Sequence, residues 1–298
     1  MKKALMAFVF VAACAQQVFA QDVKAAGGGA AFDRLVDVGG GRRLHVKCSG
    51  EGRGGTPTVL LEAGAGHGAS VWGRVQPEVS KFARVCAYDR AGLGTSDPVA
   101  APRTIVALAE DLHALLSNAK VSGPYVLVGH SLGGMLARVY ASYYPSEVAG
   151  MVLVDSAHED EADRAVALTP PDVLKEMLRR ARPEDLTPRS DERIDGCSVR
   201  TLMNALDWRG DIPLVVLTQG IPYGPDMVAV PSAAPKAYQL HLELQRELAG
   251  RSPRGRQVIA EKSGHAVHQD QPELVVSAVR EVLEASRQKG ARPGVREF

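Results

Sequence analysis

A serine hydroxyl becomes a working nucleophile only when a base removes its proton and a carboxylate steadies that base. A chain that does this chemistry therefore needs a serine, a histidine and an aspartate or glutamate folded to one point. Ser131 stands apart in this 298-residue chain, because Gly129-His130-Ser131-Leu132-Gly133 follows an apolar run at 125–128 and opens a helical stretch at 133–144. A strand entering a helix through G-x-S-x-G forces the serine into a sharp, strained turn, tolerated when the positions two before and two after lack bulk. The hydroxyl is thereby pushed to the top of a sheet at a helix N-terminus, where backbone N–H groups stabilise negative charge. An ordinary serine in a strand-to-helix turn is the plain alternative.

Eight histidines are available as the base. His265 follows a strand at 257–260 through Glu261-Lys262-Ser263-Gly264, so it belongs to a loop just past a strand's C-terminal end, the edge where open α/β sheets gather their catalytic groups. His268 is the alternative. His130 adjoins the serine and is expected to point elsewhere, His45 and His113 fall on strand and helix faces, and His241 sits in a polar helix at 238–248. Two acids keep the order Ser, Asp, His: Asp155 at the end of the strand 151–154, and Asp226 after the strand 214–218 and a loop at 219–225. Asp155 also reads as an N-cap for a following helix, while Asp160 and Asp163 belong to a solvated charge run. An oxyanion hole needs two convergent N–H donors. One should be the Leu132 amide, the other an amide of Ala63-Gly64-Ala65-Gly66, after the strand 58–62. The glycines at 64–68 are no phosphate loop, since no Gly-Lys-Ser/Thr follows and no acid stands in dinucleotide-binding context.

Buried-type strands at 58–62, 84–88, 125–128, 151–154, 214–218 and 257–260 alternate with helices that include 104–118, 133–144 and 273–287. Continuous Val/Leu runs of this kind are what parallel strands covered on both faces should look like, and right-handed crossovers then give a doubly wound sheet. A hairpin precedes them, at 35–38 and 44–48 around Gly39-Gly40-Gly41. The interval 156–210 breaks the alternation with polar helical pieces at 159–168, 171–181 and 191–207 and no strand, and reads as a helical cap inserted between two halves of the core, 34–155 and 211–288. Residues 289–298 form a tail.

With 35 Lys and Arg against 34 Asp and Glu there is no basic field to attract nucleic acid, and 5% aromatics supply no stacking platform. None of the four cysteines sits in a C-x-x-C pair, so neither structural zinc nor a redox centre is indicated. Lys2 and Lys3 precede an apolar run at 4–13, and Val18-Phe19-Ala20 offers a signal-peptidase site, so 1–20 reads as a signal peptide and 21–33 as a flexible leader. The apolar run is too short to span a bilayer, which takes roughly 20 residues. Val11-Ala12-Ala13-Cys14 resembles a lipobox, which leaves lipidation at Cys14 as an alternative to simple export to the periplasm or exterior.

Five segments together resemble the α/β-hydrolase superfamily across roughly 34–287: Val59-Leu60-Leu61-Glu62-Ala63-Gly64-Ala65-Gly66; Tyr88-Asp89-Arg90-Ala91-Gly92-Leu93-Gly94-Thr95-Ser96; Val128-Gly129-His130-Ser131-Leu132-Gly133-Gly134; Val152-Leu153-Val154-Asp155-Ser156; and Ser263-Gly264-His265 with Pro272-Glu273 behind it. The resemblance implies an eight-stranded, mostly parallel sheet, a cap between the sixth and seventh strands and no cofactor. It makes Ser131 the nucleophile, His265 the base, and the amides of Leu132 and Ala65 the oxyanion donors. Two departures matter. Ala63-Gly64 replaces the usual His-Gly, and Thr218-Gln219-Gly220-Ile221-Pro222-Tyr223 replaces the usual Gly-x-x-Asp after the seventh strand, which favours Asp155, placed as in the haloalkane dehalogenases. Those relatives and the epoxide hydrolases use a carboxylate nucleophile, so Ser131 argues against both chemistries.

The expected function is a secreted serine esterase acting on a small-molecule ester, or an amide or lactone. Perhydrolysis or haloperoxidation in the same site and a non-catalytic receptor for a small apolar ligand are the alternatives. The implied fold also makes the second and fourth strands antiparallel neighbours, so that Cys48 and Cys86 could form a disulfide, leaving Cys197 free.

Overall fold

The computed structural model describes residues 30–52, 55–180, 191–195, 202, 206, 208–224 and 231–288. Eight strands form one sheet: β1 Phe32–Gly39, β2 Arg42–Ser49, β3 Thr58–Glu62, β4 Val85–Tyr88, β5 Tyr125–His130, β6 Val148–Val154, β7 Leu214–Gln219 and β8 Gly255–Ala260. Their order across the sheet is β1-β2-β4-β3-β5-β6-β7-β8. β2 runs antiparallel to both its neighbours and every other adjacent pair is parallel. The mostly parallel, doubly wound sheet expected from the Val/Leu runs is therefore present.

Strands β3, β4 and β5 are buried at every position, and successive residues serve opposite faces. Leu60, Leu127 and Leu153 pack against Leu112, Leu115, Leu136 and Val139 of α2 (Ile105–Ala119) and α3 (Leu132–Tyr143). Val59, Leu61, Val126, Val128 and Val152 pack on the other face, against Val79 of α1 (Gln76–Ser80) and Val275, Val279 and Val282 of α8 (Pro272–Gln288). A strand sandwiched this way has no polar face, hence the unbroken apolar runs.

Between β6 and β7 the chain forms α4 (Glu161–Ala167) and α5 (Pro171–Arg180), both within the segment 156–210. The third helical piece, expected at 191–207, does not begin as a helix. Residues 191–195 are a turn and a single parallel bridge, in which the Arg103 N–H donates to the Arg193 carbonyl (2.8 Å) and the Asp195 N–H to the Arg103 carbonyl (2.9 Å). Polar helical patterning loses here because these backbone groups find a partner in the core. After β7 come α6 (Ala234–Ala249), β8, α7 (Val267–Asp270) and α8. Among the described residues, no helix is long and apolar enough to cross a membrane.

Cys48 of β2 lies directly opposite Cys86 of β4, and the two are joined by a disulfide with Cα atoms 4.1 Å apart. Cys14 and Cys197 lie outside the described residues.

Candidate active site

Ser131 is the residue between β5 and α3, and its backbone takes φ +53° and ψ −121°, a region that side chains rarely enter. The glycines around it have contacts that explain them. A Cβ on Gly129 would lie 2.4 Å from the Gly133 carbonyl oxygen, and one on Gly133 would lie 2.4 Å from that of Glu62. The Ser131 N–H donates to the Val154 carbonyl at the end of β6 (3.2 Å), which ties the turn to the strand carrying Asp155.

Asp155 follows β6 with φ +43°, fully buried. Its Oδ2 accepts a hydrogen bond from His265 Nδ1 at 2.7 Å. The His265 side chain is 47% exposed and that of Asp155 0%, so the imidazole is reachable from outside while the carboxylate is sealed beneath it. Burial by itself would raise the Asp155 pKa, but hydrogen bonds from His241 and His265 outweigh it and hold the carboxyl below its ordinary value. Asp155 is no helix cap, since the residue at the N-cap of α4 is Asp160. Asp226 lies outside the described residues.

The second donor to Asp155 is a residue that the polar reading of its helix passed over. His241 Nε2 lies 2.9 Å from Asp155 Oδ1, which also accepts the Gln219 N–H at 2.8 Å. A signal for it existed in the sequence: Leu240, Leu244 and Leu248 recur at helical spacing, and His241 and Gln245 fall on the same buried stripe.

His130 and His268 are buried behind the site. His130 Nε2 lies 3.0 Å from the His265 carbonyl oxygen, and its ring packs 4.6 Å from that of His265 and 4.4 Å from that of His268. His268 rests on Trp72, with ring centroids 4.8 Å apart. Desolvation pushes the pKa of His130 down to about 3 and that of His268 to about 4, so both are neutral packing groups at ordinary pH.

The loop after β3 lies against the serine turn: a Cβ on Gly64 would come within 3.3 Å of Ser131 Cβ and 2.8 Å of His130 Nδ1. Its shape is imposed from below by Arg90, whose Nη1 donates to the Ala63 carbonyl and Nη2 to the Gly64 carbonyl, each at 2.7 Å. The guanidinium is buried between Glu62 and Glu192. Burial would lower its pKa, but the two carboxylates more than offset that and keep it charged. Glu192, from the cap, also accepts the Gly66 N–H at 2.7 Å. The amides of Ala65 and Leu132 have no backbone acceptor among the described residues.

One group of side chains among the described residues stands close enough to share a cation: His158, Asp160 and Glu247. His158 Nδ1 accepts the Asp160 N–H at 3.1 Å, so Nε2 carries the proton, which faces Glu247 3.8 Å away. Glu247 in turn accepts from Arg164 at 2.8 Å. A tautomer with its remaining nitrogen protonated does not suit a metal ligand.

Residues 57–257 match the family model described as alpha/beta hydrolase fold. The chain belongs to the alpha/beta hydrolase fold family. Lipase LipV of Mycobacterium tuberculosis is 33% identical over 186 residues, 58% of this chain and 69% of that protein. The chain is also 38% identical over 130 residues, 42% of its length, to the probable transporter efuK of Hormonema carpetanum, of whose length it spans 18%. An esterase structure from Thermogutta terrifontis superposes with a TM-score of 0.56 at 22% identity, covering 87% of this alpha/beta hydrolase and 100% of that chain.

Proposed function

We propose that this alpha/beta hydrolase cleaves carboxylic esters of small molecules by acyl transfer through Ser131. The observation that carries the reading is the His265 Nδ1 to Asp155 Oδ2 hydrogen bond, together with a serine held in a strained strand-to-helix turn whose N–H is tied to the strand that carries Asp155. With Nδ1–H committed to the carboxylate, Nε2 of His265 is the free basic nitrogen. It takes the Ser131 proton as Oγ attacks the ester carbonyl. The oxyanion is met by the N–H groups of Leu132 and Ala65. His265 then gives the proton to the departing alkoxide, and a water activated by the same nitrogen releases the carboxylic acid and restores the serine. The names lipase and esterase borne by relatives support the ester as substrate class.

Export through the segment 1–20 is part of the proposal. The Cys48–Cys86 disulfide supports it, because such bonds persist in oxidising compartments. The test is a panel of p-nitrophenyl esters of graded acyl length with the mature protein. Ser131→Ala and His265→Ala should each lower kcat by several orders of magnitude while leaving the circular-dichroism spectrum unchanged. Ester turnover that survives in both variants would end the proposal.

A further inference from the structure

Two histidines, 86 and 110 residues from Asp155 in the chain, converge on its carboxylate. His265, after β8, holds Asp155 Oδ2, and His241, on the buried stripe of α6, holds Oδ1, which also receives the Gln219 N–H at the end of β7. A triad acid needs partners enough to fix its orientation, and the Gln219 amide already supplies one on that oxygen. An imidazole there adds something an amide cannot, a possible positive charge 2.9 Å from the carboxylate.

We propose that His241 is a positioning residue for ester cleavage, gripping Asp155 and balancing its charge so that His265 stays aligned. This rests on the triad reading given above. The groups facing the His241 ring come from three elements besides its own. Asp155 approaches Nε2 from the end of β6, and Glu161 of α4 lies 3.7 Å from Nδ1, an ion-pair distance and not a hydrogen bond. The Tyr223 ring meets it edge-on with centroids 5.6 Å apart, and Tyr238 of the same helix packs against Tyr223. Burial disfavours the imidazolium, but the carboxylates at its two nitrogens outweigh burial and push the pKa up to about 9. At neutral pH the Asp155–His241 pair is then close to neutral overall. If the positive charge is removed, the full negative charge of Asp155 faces His265, the protonated form of the base is favoured, and more alkaline solution is needed to free it.

The charge and the grip separate in two variants. Gln in place of His241 keeps an N–H donor at the end of a side chain of similar reach but carries no charge, whereas Leu removes both. His241→Gln should retain kcat at its alkaline plateau within a few-fold, and its acid limb of kcat/KM should move up by on the order of one pH unit. His241→Leu should show the same displacement and in addition lose about tenfold or more in plateau kcat. A helix residue of structural value alone would lower Tm in both variants and leave the acid limb in place, which would overturn the proposal.

A second measurement needs no variant. In the intact protein with labelled histidine, the imidazole carbon resonances should show one ring protonated until about pH 9, and the His265 signals should respond to that same step. If every ring is neutral by pH 8, the proposal fails even though ester turnover through Ser131 stands. If Ser131 carries no ester turnover, the triad reading falls and His241 has no reaction to position.

Discussion

Asp155 has two carboxylate oxygens and three donors around them, and the donors come from a strand end, a helix and a loop, 64 to 110 residues away. Replacing it with Asn would place an amide N–H against His265 Nδ1 and favour the wrong tautomer. Asp155→Asn should cost up to about 10⁴ in turnover, while Asp226→Asn should leave turnover within a few-fold; the reverse ranking would move the acid to the loop after β7. Ser131, His265 and Asp155 were legible as candidates because each follows the C-terminal end of a strand, directly or through a short loop, and that edge collects such residues. His241 was not, because a helix rich in Glu and Gln reads as solvated, and only the Leu240, Leu244, Leu248 spacing shows that the histidine turns inward. The role of His130 as a neutral shelf under His265 was equally hidden, since adjacency to the serine says nothing of what the imidazole meets on the other side.

At the scale of elements, the Val/Leu runs located each strand of the core, and the register then added residues at the ends: β5 runs on to His130 and β6 starts at Val148. The cap was harder to read. Its charged segment at 191–195 carries Glu192, which is fully buried and joins the cap to Arg90 and to the Gly66 amide of the loop after β3. Nothing local marks that glutamate among its charged neighbours, because its partners are about a hundred residues away. Glu192→Ala would leave the Gly66 N–H without its acceptor and Arg90 with one carboxylate in place of two. We expect a loss of about 3 kcal/mol in urea unfolding and a fall of about tenfold in kcat with KM little changed, as loosening of an oxyanion donor should give. Lost stability with unchanged kcat would mean that the loop keeps its shape without the cap.

For the whole molecule, acid and base act on different histidines. His130 and His268 have folded pKa values of about 3 and 4, below the ordinary 6.5. Above pH 6.5 they bind no extra proton in either state; below it the unfolded chain takes up protons that the folded one refuses. Stability should therefore fall from pH 6.5 towards pH 4, by roughly 1.4 kcal/mol per pH unit for each group. His241, raised to about 9, acts oppositely: its contribution is complete below pH 6.5 and is lost as pH rises through 9. Thermal unfolding followed from pH 4.5 to 10 should thus give a Tm that declines on both sides of a near-neutral maximum, and a flat profile between pH 6.5 and 4.5 would contradict this assignment. Reduction of Cys48–Cys86, which closes a loop of 38 residues, should lower stability by about 2–4 kcal/mol, read as the difference in urea midpoint with and without reductant. The central claim, that Ser131 is an activated nucleophile, is tested most directly by intact-mass and peptide analysis after exposure to a fluorophosphonate. One adduct per chain, on the peptide containing Ser131 and absent from Ser131→Ala, is the predicted result; no adduct, or one on another residue that persists in that variant, would contradict it.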